Sequence, residues 1–162
     1  QDVGARDRRR GSLSQPEELP YRLESGTPNT VGIAGLRAGI EYVTSRGISA
    51  IRTHERKLVQ KLITALQDDK RFVLYGTRDV SKKVGILSLN VKGYRPAEVG
   101  AILDQSFDIA VRPGLHCAPF AHQRLGTFPD GTVRVSPGCF NTEEEIDQLI
   151  TVLVRIAEQA SV

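Results

Sequence analysis

The stretch Ala110-Val-Arg-Pro-Gly-Leu-His-Cys-Ala-Pro119 holds the residue types best suited to chemistry. A thiol, Cys117, sits beside an imidazole, His116, and follows a guanidinium, Arg112. Thiols react as thiolates, and a nearby Arg or protonated His favours that form. A Pro-Gly turn separates Arg112 from His116, so the pair belongs to a loop, and function often lives on loops placed by a rigid scaffold. The commoner fate of a lone Cys is to pack as a small apolar residue, and on these residues alone both readings stand.

Two further segments bear charge or hydroxyls in suggestive places. Arg134 lies between Val133 and Val135 in Thr132-Val-Arg-Val-Ser136. In a strand its side chain points away from the face of its neighbours, and a bidentate carboxylate would satisfy it. A structural ion pair would serve equally well. Glu24-Ser-Gly-Thr-Pro-Asn29 precedes a helical pattern. Gly26 permits close backbone approach, and Thr27 and Thr30 offer hydroxyls at a helix start, an arrangement that suits an anion and also ordinary capping. A metal centre is not expected. His54, His116, His122, Cys117 and Cys139 are the only imidazole or thiol candidates, and their spacing matches no paired zinc motif. His54, next to Glu55 and Arg56, reads as a solvated surface residue.

These segments need elements to hold them. Residues 1–29 read as an extended N-terminal segment, broken by Pro16, Pro20 and Pro28. From Thr30 a helix is expected, with Ile33, Leu36, Ile40 and Val43 as its stripe, Thr30 as its cap and Gly47 at its end. A second helix is expected over 48–68, striped by Ile48, Ile51, Leu58, Leu62 and Leu66. Strands follow at 71–76 and 84–91, the latter with period-two alternation. A helix starting at Pro96 runs to 106, 108–112 reads as a strand, and Pro113–Phe120 reads as a loop. A strand at 132–136 precedes the clearest helix, where Thr142 and Glu145 form a capping box and Ile146, Leu149, Ile150, Leu153, Ala157 and Ala160 share a face. The order predicts an α+β fold, a small antiparallel or mixed sheet with helices packed on one face.

Composition narrows the function classes. The 162 residues are 40% hydrophobic and 25% charged, with net charge +3, values ordinary for a globular domain. Four Arg and two Asp lie in residues 1–10, so the basic excess comes mostly from that arm. With aromatics at 6%, nucleic-acid binding is not expected. No apolar run approaches the about 20 residues of a membrane span, and the first residues carry no signal-peptide core. Two cysteines permit one bridge at most, and a reducing cytoplasm is the expected setting. The chain has no Met, so it is expected to be processed, trimmed or a fragment.

In order and spacing the three segments resemble one family. Arg112-Pro-Gly-Leu-His-Cys-Ala-Pro119 resembles the Arg-x-Gly-x-His-Cys-Ala loop of cysteine desulfurases, in the class V aminotransferase group. Thr132-Val-Arg-Val-Ser136, with Phe140-Asn-Thr-Glu-Glu-Glu-Ile-Asp147 behind it, resembles the stretch after that loop. Glu24-Ser-Gly-Thr-Pro-Asn-Thr30 resembles the family's Glu-x-Gly-Thr-x-Asn segment. The likeness runs from about residue 11 to the C-terminus, roughly 150 residues and a single-domain length. Two departures stand out. Asp7-Arg-Arg-Arg-Gly-Ser12 replaces the family's Gly-Gly-Thr-Gly run, and Leu115 stands where some relatives carry a second His.

The resemblance implies a fold type I pyridoxal-phosphate enzyme, of which residues 30–162 would be the small C-terminal domain. The large domain, with the imine Lys, lies outside this sequence on that reading. Lys57, Lys61, Lys70, Lys82, Lys83 and Lys92 read as surface charges, so this chain alone is expected to be inactive. The resemblance implies that Cys117 takes sulfur from L-cysteine as a persulfide, giving alanine, with His116 tuning the thiol or shaping its loop. It implies that Arg134 binds the substrate carboxylate, with Arg112 assisting, and that Gly26 and Thr27 reach the cofactor phosphate across a homodimer. A sulfur-acceptor protein is the expected further partner. The alternatives are a non-catalytic interaction or sulfur-relay domain, and a related lyase acting on selenocysteine or a cysteine derivative.

Overall fold

The computed structural model describes residues 17–20, 22–23 and 27–160. The chain divides into two compact units, residues 1–45 and 46–162. The first carries helix α1, Thr30–Arg46. Asn29, rather than Thr30, caps it: Asn29 Oδ1 accepts the Gly32 N–H at 2.9 Å. A carboxamide one residue ahead of the helix reaches the third N–H, the usual capping geometry. Arg37 and Glu41 pair one turn apart. The helix forms as predicted, but Ile33, Leu36, Ile40 and Val43 remain exposed.

In the second unit, helix α2 spans Ile48–Leu66. It buries Leu58, Val59, Leu62, Ile63 and Leu66, a stripe at three- and four-residue spacing. Ile48, expected in that stripe, is exposed. Strands β1 (Phe72–Tyr75) and β2 (Leu87–Val91) pair antiparallel, with Phe72 opposite Val91. A 3-10 turn, Val80–Lys82, lies between them. Helix α3, Pro96–Phe107, begins with its Pro, which has no N–H to lose in the first turn.

The strand expected at 108–112 begins instead at Arg112. Asp108 adopts a left-handed backbone (φ 55°) that ends α3, and Ile109 and Val111 pack on the core outside any strand. Strand β3 is Arg112–Gly114. The loop expected after it is partly helical: α4, Pro119–Leu125, again opens on Pro. Its seven residues bury only His122, too short a pattern for an apolar period to reveal. Strand β4 is Thr132–Val135, and α5 is Glu143–Gln159. Thr142 Oγ1 accepts the Glu145 N–H and Glu145 accepts the Thr142 N–H, the predicted capping box.

The sheet order is β1-β2-β4-β3, antiparallel throughout. Phe72, Leu74, Leu87, Leu89, Val91, Val133 and Val135 alternate along their strands and are buried, so they share one face. That face joins the buried residues of α2, α3 and α5 in a single core. The result is a two-layer α+β unit, as the sequence predicts. Lys57 and Lys61 of α2 pair with Glu143 and Asp147 of α5 across the helix layer. His54 is half-buried, with Nε2 2.8 Å from the Asn141 carbonyl oxygen, so it is tied to the start of α5 rather than left in solvent. Among the described residues no helix is long and apolar enough to cross a membrane.

Candidate functional site

With α2, α3 and α5 packed on one face, the other face of the sheet carries mostly polar residues, Val73 being the apolar one among the strands β1, β2 and β4. Tyr75, Ser88, Arg134 and Arg112 form one cross-strand row over all four strands. Along the neighbouring positions of the same face lie Asn90 and Thr132. The Asn90 amide donates to Tyr75 Oη (3.3 Å) and to the Gly131 carbonyl (3.2 Å). Asn90 Oδ1, Thr132 Oγ1 and Arg134 Nε are nevertheless buried without a hydrogen-bond partner. Buried polar groups left unpaired cost free energy, and such a cluster points to a group that docks there.

The sharpest feature of the row is Arg112 directly opposite Arg134. Like charges placed opposite one another across a sheet repel. An anion between or beside them reverses the sign, and a carboxylate matches the planar guanidinium fork.

Edge strand β3 is held close by small residues. A Cβ on Gly100 of α3 would come within 2.7 Å of Pro113 Cγ, and one on Gly131 within 2.1 Å of the Gly114 oxygen. These contacts fix where the following loop begins. There the chain turns sharply: His116 and Cys117 are both left-handed (φ 53° and 60°), a conformation that costs energy for residues with a Cβ. The Ala118 N–H donates to the Leu115 carbonyl at 2.9 Å, and His116 Nε2 lies 2.8 Å from the Arg112 carbonyl oxygen.

That carbonyl can only accept, so Nε2 carries the hydrogen and the neutral ring keeps a lone pair on Nδ1. Burial holds His116 below its usual pKa of 6.5; the bond to the Arg112 carbonyl opposes this, and the charges of Arg134, His122 and Arg112 add to it. Cys117 is exposed, and Arg112 Nη2 reaches its sulfur at 3.6 Å. Cys139 is half-buried and also free.

The structure thus brings together four of the residues singled out from the sequence: Arg112, His116, Cys117 and Arg134. Thr27 is exposed in the other unit, ahead of α1. Gly26 lies outside the described residues. Among the described residues there is no group of three or more His, Cys, Asp or Glu placed to hold a metal ion. Sequence reasoning gave no role to His122 and Thr127. His122 is buried, its Nδ1 2.7 Å from Thr127 Oγ1, and its ring meets that of His116 edge-on at 5.5 Å. The available signal was a lone His in a short polar segment behind a Cys loop, which is too weak to assign.

Comparison with known proteins follows the same lines. Residues 5–149 match the family described as Aminotransferase class-V. A probable cysteine desulfurase of Pyrococcus abyssi is 40% identical over 141 residues, covering 87% of this chain and 34% of the relative. A cysteine desulfurase of Escherichia coli is 37% identical over 141 residues, covering 86% and 33%. The chain therefore spans about a third of the length of these relatives. Among solved structures, the apo cysteine desulfurase of Thermococcus onnurineus NA1 superposes with a TM-score of 0.80 at 39% identity, over 86% of this chain and 34% of that one. The cysteine desulfurase CsdA of Escherichia coli gives 0.75 at 28% identity, over 86% and 33%.

Proposed function

Since this chain belongs to the class-V aminotransferase family, we propose that it is part of a cysteine desulfurase, the part that carries the sulfur-accepting thiol and the substrate-carboxylate site. One observation carries the reading. Two guanidiniums face each other on the open side of the sheet, and the loop from the same edge strand presents an exposed thiol beside one of them.

The residues suit a small amino acid with a free carboxylate and a nucleophile-sensitive sulfur. Arg134, with its buried and unpartnered Nε, binds the carboxylate, and Arg112 assists. Arg112 Nη2 also reaches Cys117 Sγ, so it can favour the thiolate. The Nδ1 lone pair of His116 can take up the thiol proton, because the ring is fixed through Nε2 and burial keeps it neutral. The Cys117 thiolate then attacks the substrate sulfur. An S–S bond forms, the substrate C–S bond breaks, and protonation at carbon leaves alanine.

Breaking that bond needs an electron sink, which pyridoxal phosphate supplies when bound. The unpaired cationic face fits the anionic substrate such a cofactor presents. Thr27 and Gly26 belong to the segment that would meet the cofactor phosphate across a homodimer. None of the chain's lysines stands in the family's Ser-x-His-Lys context, so the imine Lys belongs to the full-length protein and the 162-residue chain alone gives no turnover. A sulfur-acceptor protein and a cytoplasmic setting complete the reading.

The test uses the full-length protein with pyridoxal phosphate and L-cysteine, following alanine formation. Arg134→Ala is expected to raise the KM for cysteine about ten- to a hundredfold, the loss of one charge-assisted contact. Cys117→Ser is expected to abolish persulfide formation. Absence of cysteine-dependent alanine from the wild-type protein would refute the assignment.

A further inference from the structure

The mechanism above leaves His122 unused, although it is a titratable side chain buried directly behind the thiol loop. It projects from α4, and its exposure is 5%. Its Nδ1 is hydrogen-bonded to Thr127 Oγ1 at 2.7 Å. The backbone closes the same unit, since the Thr127 N–H donates to the His122 carbonyl at 2.9 Å. The Thr127 hydroxyl also donates to that carbonyl, at 3.4 Å, which leaves its oxygen facing the ring as an acceptor for Nδ1–H. The ring edge of His122 in turn meets His116 at 5.5 Å, inclined by 63°, a favourable aromatic geometry.

We propose that His122, locked by Thr127, is a positioning residue for the sulfur-transfer thiol: it acts through His116 to hold the left-handed His116–Cys117 turn. This inference rests on the desulfurase reading for its purpose, though not for its geometry.

Two successive left-handed residues need their surroundings to hold them. One support is the bond from His116 Nε2 to the Arg112 carbonyl. That bond fixes one end of the imidazole, and the ring could still swing about it. His122 supplies the wall against which the ring rests, and Thr127 stops His122 itself from rotating. The second effect is electrostatic. The groups acting on His116 are Arg134 of β4, Arg112 of β3 and His122 of α4, with Cys117 adjacent in the chain. Burial is the main influence disfavouring the imidazolium, and the charges of these three add to it against the opposing bond to the Arg112 carbonyl. A His116 that stays neutral keeps its Nδ1 lone pair at pH values where an exposed imidazole would have lost it.

The experiment measures the rate of Cys117 alkylation against pH in the full-length protein, with Cys139→Ala as background so that one thiol is read between these two. Thr127→Val keeps the shape and removes the hydroxyl; Thr127→Ser restores it. For Thr127→Val the neutral-pH rate is expected to fall about fivefold, the worth of one net hydrogen bond, and the acid limb of the profile to move to higher pH. Thr127→Ser is expected to recover both, and kcat for alanine formation to fall in Thr127→Val with the KM for cysteine unchanged. His122→Gln serves as a second variant, expected to show the same shift. If Thr127→Val keeps the wild-type pH profile and rate, the positioning role is refuted. If it loses thermal stability while the profile of the remaining folded protein is unmoved, the pair is structural and the proposal also fails. The alkylation readout needs no turnover, so a wild-type protein that makes no alanine would refute the desulfurase reading while leaving this inference to its own result.

Discussion

Gly131→Ala tests how tightly the thiol loop is tied to the sheet. Gly131 has φ +82°, and a Cβ built there would lie 2.1 Å from the Gly114 oxygen, 2.2 Å from its carbonyl carbon and 2.8 Å from the Leu115 nitrogen. Ordinary contacts begin at 3.4 Å, so the end of β3 must retreat by more than 1 Å. The atoms involved are backbone on both sides, and no flexible side chain can yield. The left-handed φ alone costs about 1–2 kcal/mol for a residue with a Cβ. Separation of Gly114 from Thr132 forfeits pairing at the end of a three-residue strand, about 1 kcal/mol for each hydrogen bond lost. The total is about 3 kcal/mol. Gly126→Ala isolates the first contribution, because Gly126 has φ +70° with nothing within 4 Å of its Cβ position; its cost is about 1 kcal/mol. Urea unfolding of the two variants should therefore differ by about 2 kcal/mol, and only Gly131→Ala should slow Cys117 alkylation. Equal stability and equal alkylation in the two variants would refute the claim that Gly131 clamps the loop.

Two other perturbations probe the core and the site's ionisation. Leu153→Ala on α5 empties a fully buried position, and urea unfolding should register a loss of about 3 kcal/mol. Folded His116 titrates below 6.5 while the unfolded chain takes up that proton at 6.5. Its contribution to stability is present above pH 6.5 and is lost as pH falls below it, until the folded pKa is passed. His116→Asn, which tolerates the left-handed backbone, should flatten the stability profile between pH 7 and 5, as read by urea midpoints; an unchanged profile would count against a buried, neutral imidazole.

Periodicity made most elements legible. The Thr142–Glu145 box, the alternation in β2 and most of the α5 stripe are local signals that the structure contains, although Val152 and Ile156 join the buried face, Ala160 lies past the helix, and the strand expected from residue 84 begins at Leu87. Where tertiary structure decides, sequence was silent or misleading. Strand β3 is three residues with a Pro, held by close approach to Gly100 and Gly131 rather than by β-propensity, so Asp108–Val111 looked more strand-like than the true strand. Helix α4 buries one residue and therefore has no stripe. The α1 stripe is periodic, yet exposed among the described residues. For the site, residue types flagged Cys117, His116, Arg112 and Arg134 one by one. That Arg112 faces Arg134 follows only from β4 pairing with β3, and the His122–Thr127 support is visible only once α4 folds back beneath the loop.

The strand order has a consequence for synthesis. β4, the last strand to be made, takes an interior place between β2 and β3, and β3 has no other partner in the sheet. As the chain leaves the ribosome, α2 and the β1–β2 hairpin can assemble from local contacts. β3 must wait, its edge unpaired, until residue 135 has emerged, and the core stays open until α5 delivers Ile146, Leu149, Leu153 and Ile156. Pairings distant in sequence are slow to form, and unpaired edges invite association. Premature termination ahead of Glu143 would therefore release a nascent product with α2's apolar stripe uncovered by α5, a natural client for chaperones and proteases.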